Sequence, residues 1–166
     1  MRRLIVMRHA KSSWADPAQR DLDRPLNKRG RRAAQLLGAW LKQNGYRPDR
    51  ALVSSARRTQ ETWAGIVAEA GPAETSYVPE LYHAGPETMR DVVCRVADAP
   101  CLLMLAHQPG IGGFAARLLA DPPADPDFGK FPTGATAVID FDRDRWTDIG
   151  WGEGRLVAFV APRTLE

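Results

Sequence analysis

The sequence predicts a three-layer α/β fold, with a mainly parallel central sheet and helices on both faces, as one domain over residues 1–166. Three observations carry this expectation. Short runs such as "LIVM" and "CLLMLA" are continuously apolar, as strands buried on both faces are. Segments with apolar residues at helical spacing separate these runs, and strands alternating with helices point to crossover units. A chain of 166 residues, 44% hydrophobic and 26% charged, is long enough to bury one stable core.

Leu4–Met7 form the first strand, and a polar loop follows through Pro25. Asn27 caps a helix from about Lys28 to Asn44, with Ala33, Ala34, Leu37, Trp40 and Leu41 on one face and Gly45 beyond its end. "RALVSS" is the second strand. Ser55 caps a helix to about Ala70, with Trp63, Ile66, Val67 and Ala70 on one side. "ETSYVPE" is a short third strand, and "GPETMRDVVCRVA" is a helix with Pro86 in its first turn. "CLLMLA" is the clearest strand, and "GIGGFAARLLA" is helical despite its glycines. "DPPADPDFGKFPTG" reads as a proline-rich connection with no regular element. "ATAVIDF" and "RLVAFV" are the last strands, turned by "DRDRW" and able to pair antiparallel. There is no internal repeat and no low-complexity tract.

Composition excludes several classes. The net charge is only +3, from 23 basic and 20 acidic residues, so a nucleic-acid partner is not expected. No apolar run approaches the roughly 20 residues that span a bilayer. The first apolar run ends at Arg8, too short for a secretory leader, so no membrane role and a cytoplasmic location are expected. Cys94 and Cys101 have neither disulfide nor zinc-ligand spacing and read as buried free thiols. Neither a His-x-x-x-His nor a Glu-x-x-His pair is recognised, so no metal is expected.

In open α/β sheets, ligands bind beyond the carboxyl ends of the strands. The first strand ends in Arg8-His9, and the fourth delivers His107. The second feeds a helix whose first turn holds Arg57 and Arg58. Two of the three histidines therefore stand at one sheet edge with arginines and a helix start. Arginine forks bind phosphate bidentately, and helix amides add fixed positive potential. A neutral imidazole among them is a nucleophile that can take a phosphoryl group. Phosphoryl transfer gathers charge on the equatorial oxygens, so positioning and cationic donors are most of what such a site must supply.

The same residues resemble a known family. "LIVMRHA" resembles the Arg-His-Gly signature of the histidine phosphatase, or phosphoglycerate mutase-like, superfamily. "DRPLNKRG", "LVSSARRTQETW" and "LAHQPGI" resemble its next three segments, in the right order across positions 4–111. Length and wording are most similar to the small SixA-type phosphohistidine phosphatases. The resemblance implies a phosphoglycerate mutase-like fold, His9 as phosphoryl acceptor, and a phosphate pocket of Arg8, Arg58 and His107. It also implies no cofactor and no metal. Motif spacing selects Arg58 over Arg57, which lies about 100° around the helix and is expected to be solvated.

The departures are chemical expectations in themselves. Ala10 stands where the family has glycine, which is tolerable if that position does not need positive φ. Thr59 and Glu61 replace an alanine and a glutamine. Larger members carry a general acid after the third strand. The candidate here is Glu80, whose spacing to Gly85 fits poorly, so it reads equally as a surface charge. His83 in the same loop reads as a surface residue. A weak acid favours phosphohistidine, whose leaving imidazole needs less help than an alkoxide. The expected enzyme is a metal-independent phosphatase acting on a phosphorylated protein, such as a His-phosphorylated phosphorelay domain. The alternatives are a small-molecule phosphomonoesterase or mutase, with residues 121–132 as the only lid candidate, and a non-catalytic phosphohistidine-binding module. Neither the individual substrate nor the oligomeric state is legible.

Overall fold

The computed structural model describes all 166 residues. In chain order the elements are β1 (Arg2–Arg8), α1 (Lys28–Gln43), β2 (Arg50–Ser54), α2 (Arg57–Ala70), β3 (Glu74–Val78), α3 (Pro86–Cys94), β4 (Cys101–Ala106), α4 (Gly110–Leu118), α5 (Pro126–Lys130), β5 (Thr136–Phe141) and β6 (Arg155–Val160). The strands form one sheet in the order β3-β2-β4-β1-β5-β6. Pairing is parallel from β3 through β1 and antiparallel on either side of β5. This is the predicted mainly parallel α/β class, including the antiparallel pairing of the last two strands.

Continuous apolar strands were expected to be covered on both faces, and they are. Leu4, Val6, Met104 and Ala106 pack with Met89 and Val93 of α3 and Ile111 and Phe114 of α4. The alternate residues Ile5, Met7, Leu103 and Leu105 pack with Leu37 and Leu41 of α1 and Trp63 and Ile66 of α2. Each such large side chain, fully buried, stabilises the fold by roughly 1.5–3 kcal/mol. The rigid centre of the sheet is thus β1 and β4, the strands that lead into the two histidines.

Local signals placed most elements well. The Asn27 side chain accepts the Gly30 N–H, and Gly45 follows α1 with φ +74°. Gly30 is required for a further reason: a Cβ there would stand 2.0 Å from the Lys11 carbonyl oxygen, so only glycine lets α1 seat against the loop after β1. Three expectations are corrected. Ser55 does not cap α2; Ala56 holds that position without a side-chain cap, while the Ser54 hydroxyl is committed to His107. The segment 121–134 is not wholly irregular, because Asp125 caps α5 through the Asp127 N–H and Pro126 sits in its first turn. Proline breaks a helix interior but suits a helix start. Cys94 and Cys101 are unpaired, as expected, but half-buried rather than buried. No helix is long and apolar enough to cross a membrane.

Candidate active site

The register of the two central strands builds the site. Arg8 of β1 lies directly opposite Ala106 of β4 in a parallel pair. The next residue of each strand is a histidine, so His9 and His107 emerge together, with ring centroids 5.3 Å apart. β2 ends beside them, and its Ser54 hydroxyl lies 2.8 Å from His107 Nε2. The first turn of α2 then brings in Arg58. Two adjoining depressions share Arg58, His107 and Gln108 and form one cleft over the sheet edge. Arg8, His9, Arg24 and Trp14 line one end, and His83 and Pro86 line the other.

The surroundings of His9 leave one ring nitrogen free. Its Nδ1 lies 2.7 Å from the Ala10 carbonyl oxygen. A carbonyl only accepts, so Nδ1 carries the hydrogen and Nε2 keeps its lone pair. Burial first, and then the nearby Arg58, Arg8 and Arg24 guanidiniums, push the His9 pKa down to about 4. His107 is pushed down to about 3 by burial, with His9 and Arg58 adding to the effect. Both rings are therefore neutral at neutral pH. Ala10 causes no strain, because its φ is not positive, and its N–H donates to Thr62 of α2.

These depressed values have a consequence for stability. Between about 4 and 6.5 the unfolded chain binds protons at His9 that the folded chain does not, so the unfolding free energy rises with pH there. The contribution is fully present above 6.5 and is lost as pH falls through the window. We expect urea midpoints to drop on acidification from pH 7 to pH 5, and the slope to flatten in His9→Ala. Midpoints that do not change with pH would mean that the imidazoles take up protons in the folded protein as readily as in the unfolded chain.

The arginines are arranged to receive an anion. Arg8 donates only to the Phe131 carbonyl oxygen, at 3.1 Å, and has no carboxylate partner. Its pKa is lowered by burial and then by repulsion from Arg58. The Nε of Arg8, the Nε of Arg58 and the Nδ1 of His107 are buried without a hydrogen-bond partner. Buried polar atoms are rarely left unpaired. Three of them around one cleft, where the single carboxylate of Asp21 serves both Arg24 and Arg58 and none serves Arg8, fit a bound oxyanion.

Arg57 and Arg58 separate as the helical angle predicts. Arg58 is 6% exposed and bonds the carboxylate and the carbonyl of Asp21. Arg57 points to solvent and pairs with Glu61. Arg58→Ala should therefore lower kcat/KM about tenfold to a hundredfold, the value of a lost charge-assisted hydrogen bond. Arg57→Ala should stay within about twofold. Steady-state kinetics on the two variants, with one aryl phosphate, checks the register.

Sequence reasoning missed Arg24 and Asp21. Arg24 is 7% exposed, lies in the cleft with His9, and stacks on Trp14 with its guanidinium carbon 3.4 Å from the ring centre. It also bonds Asp21, Ser12 and Ser13. Its signal was the segment "DRPLN", read for its proline and leucine and not for the arginine before them. Asp21 is the hub behind the pocket, accepting from Arg58, Arg24 and the Tyr82 hydroxyl. Tyr82 and then the arginines hold its carboxyl far below the usual carboxylate range, so it stays ionised.

Glu80 is not brought to this group. It lies in a short turn after β3, fully exposed, with its carboxylate held by both terminal nitrogens of Arg95. It lines neither part of the cleft. His83, read as a surface residue, is exposed but walls the cleft and stacks on Tyr82 with centroids 3.9 Å apart. Glu80 and His83 have the Glu-x-x-His spacing of a metal pair, a spacing the sequence reading passed over. No cluster of three or more His, Cys, Asp or Glu forms around them.

Comparison with known proteins extends the geometry. The family model for the histidine phosphatase superfamily (branch 1) matches residues 4–85, which include His9 and Arg58. An uncharacterized protein of Mycobacterium tuberculosis is 37% identical over 163 residues, covering 95% of this chain and 100% of the relative. The structure of a Nakamurella multipartitia protein assigned as phosphohistidine phosphatase SixA is similar over 97% of this chain and 96% of that one, with 30% identity and a TM-score of 0.85. The protein histidine phosphatase SixA, solved with tungstate, matches over 99% of both chains at 25% identity and a TM-score of 0.74.

Proposed function

The chain belongs to the histidine phosphatase superfamily, and on that premise we propose that it is a metal-independent phosphohistidine phosphatase acting through a phosphoryl group carried on His9. One observation carries the choice of substrate: the cleft that holds both histidines and the arginines is lined by no carboxyl group. The nearest one, Asp21, is locked in its ionised form and has no proton to give. Such a site can neutralise and orient a phosphoryl group but gives little help to a poor leaving group. Phosphohistidine brings a leaving imidazole that takes up its own proton from water.

The reaction runs in two displacements. The phosphoryl oxygens lie among Arg8, Arg58, Arg24 and His107. His9 Nε2 attacks phosphorus as the P–N bond of the substrate breaks, and the leaving imidazole keeps that electron pair and takes a proton. Water then attacks the phosphorus on His9, orthophosphate leaves, and His9 returns to its neutral form. The cations stabilise the charge on the equatorial oxygens in both steps. The names of two similar structures, phosphohistidine phosphatase and protein histidine phosphatase, support this substrate class.

Phosphate release from a synthetic phosphohistidine peptide tests the reading directly. Release is expected at catalytic amounts of protein, and its absence overturns the proposal. The pocket makes a second demand. Tungstate, vanadate and phosphate should inhibit competitively and raise the melting temperature, as binding to the folded state requires. Chelators should change nothing. Inhibition by EDTA that magnesium or zinc reverses would refute the metal-free part. The tungstate complex of the related SixA supports the expected oxyanion site.

A further inference from the structure

We propose that the face running from the mouth of the cleft onto the start of α1 docks an acidic segment of a protein substrate, next to its phosphorylated side chain. This rests on His9 being the phosphoryl acceptor. Lys11 and Thr133 line both the His9 end of the cleft and a neighbouring depression, which also holds Arg29, Lys130 and Arg163. Arg29 in turn belongs to a shallow surface with Lys28, Arg31 and Arg32. Shared residues thus join three depressions into one basic track that begins at the nucleophile. The carboxylates along it, Asp127 and Glu166, are already engaged by Arg163 and Arg29. Lys11, Lys28, Arg32 and Lys130 are exposed, and none of them forms an ion pair.

The fold accounts for only part of the charge at the start of α1: Arg29 pairs with Glu166, and Arg31 donates to the Leu26 carbonyl oxygen. Lys28, Arg29, Arg31 and Arg32 occupy the first turns of α1, which carries no acidic residue there. That end of a helix is the positive end of its dipole, where cations are unfavourable and carboxylates are favoured. Lys28 and Arg32, which have no ion-pair partner at that end, are explained by an anion outside the molecule. The other side of the cleft is different in kind: His83, Ala84, Gly85 and Pro86 bring no lysine, arginine or carboxylate to it. The site therefore has one lip rich in lysine and arginine and one lip without them, which orients a partner as well as attracting it.

A protein fits better than a nucleic acid. Trp14, 77% exposed, stands at the same mouth with Arg24 stacked on it. Tryptophan and arginine anchor protein interfaces. The net charge of +3 is too small for general attraction to a polyanion, so the attraction is confined to the track.

The test uses two synthetic peptides, each with one phosphohistidine, followed by a run of aspartates in one and by the same run of asparagines in the other. Binding is measured with His9→Ala protein, which cannot turn the peptides over, and hydrolysis with His9 intact. The acidic peptide should bind about tenfold tighter at low salt. The advantage should vanish at about 0.5 M salt, where exposed charges are screened. It should also vanish in Lys28→Glu/Arg32→Glu. That double change puts carboxylates at the end of α1 that favours them, so lost binding cannot be ascribed to a lost fold. Hydrolysis of an aryl phosphate by the double variant should remain within about twofold of the parent. Equal affinity for the two peptides overturns the docking surface, whether or not either is hydrolysed. Preferential binding with no hydrolysis leaves the docking surface standing and refutes phosphohistidine as substrate. An oligothymidylate that displaces the acidic peptide at lower concentration than the peptide itself would assign the track to nucleic acid and overturn the protein partner.

Discussion

Replacing His9 by alanine is expected to lower turnover at least about a thousandfold, because in the proposed mechanism it removes the atom that forms the covalent bond to phosphorus. The fold should survive. The His9 ring makes one hydrogen bond, to the carbonyl of its own neighbour Ala10, while the Ala10 N–H to Thr62 is a backbone contact that alanine at position 9 leaves in place. Neighbouring β1 residues are held by the sheet and by two apolar layers, none of which needs the imidazole. The oxyanion pocket of Arg8, Arg58 and His107 also remains, so the variant should still bind tungstate and still melt cooperatively. Rapid acid-free quenching of the parent protein with a labelled substrate should trap phosphate on His9, in an acid-labile and base-stable linkage. A His9→Ala protein that folds, binds tungstate and still turns over would remove His9 from the mechanism, and a label on His107 instead would reverse the two roles.

The second large effect is in the choice of substrate. A positioned general acid contributes about a hundredfold to ten-thousandfold to expulsion of a poor leaving group. The cleft has no carboxyl group in its lining, and Asp21 behind it is held ionised by Tyr82, Arg58 and Arg24. Alkyl phosphates such as phosphoglycerates should therefore trail phosphohistidine by at least about a hundredfold in kcat/KM, with aryl phosphates between them. Glu80→Gln should alter none of the three, because its carboxylate is bound to Arg95 on the surface and lies outside the cleft. Specificity constants at one pH decide the matter. A phosphoglycerate preferred by tenfold or more, about 1.4 kcal/mol of discrimination, would identify a proton donor in the cleft, and His83, which lines it, is the group placed to serve.

What the sequence determined by itself is what depends on neighbours along the chain. Continuous apolar runs between amphipathic segments specify buried strands with helices on both sides, and that settled the fold class. A strand that ends in Arg8-His9 and another that ends in His107 must present those residues at the sheet edge where such folds bind ligands. The 100° step between adjacent helical residues separated Arg58 from Arg57. The α5 helix was missed because the same residue type, proline, has opposite meanings at a helix start and inside one.

What only the tertiary structure decided is what depends on contacts between segments far apart in the chain. The pairing of Arg8 with Ala106 joins positions 98 residues apart and brings the two histidines together. Asp21 meets Arg58 and Tyr82 only because the loop after β1 folds back over α2 and the turn after β3. Whether Glu80 is an acid or a surface charge turned on the position of Arg95, the residue that follows α3, and no local pattern contains that. Protonation follows the same rule: the sequence names the histidines, but the His9 pKa is lowered by burial and by three arginines from separate segments, and the His107 pKa by burial, His9 and Arg58. Short-range patterns carry backbone geometry, whereas charge, proton affinity and access are properties of the assembled surroundings.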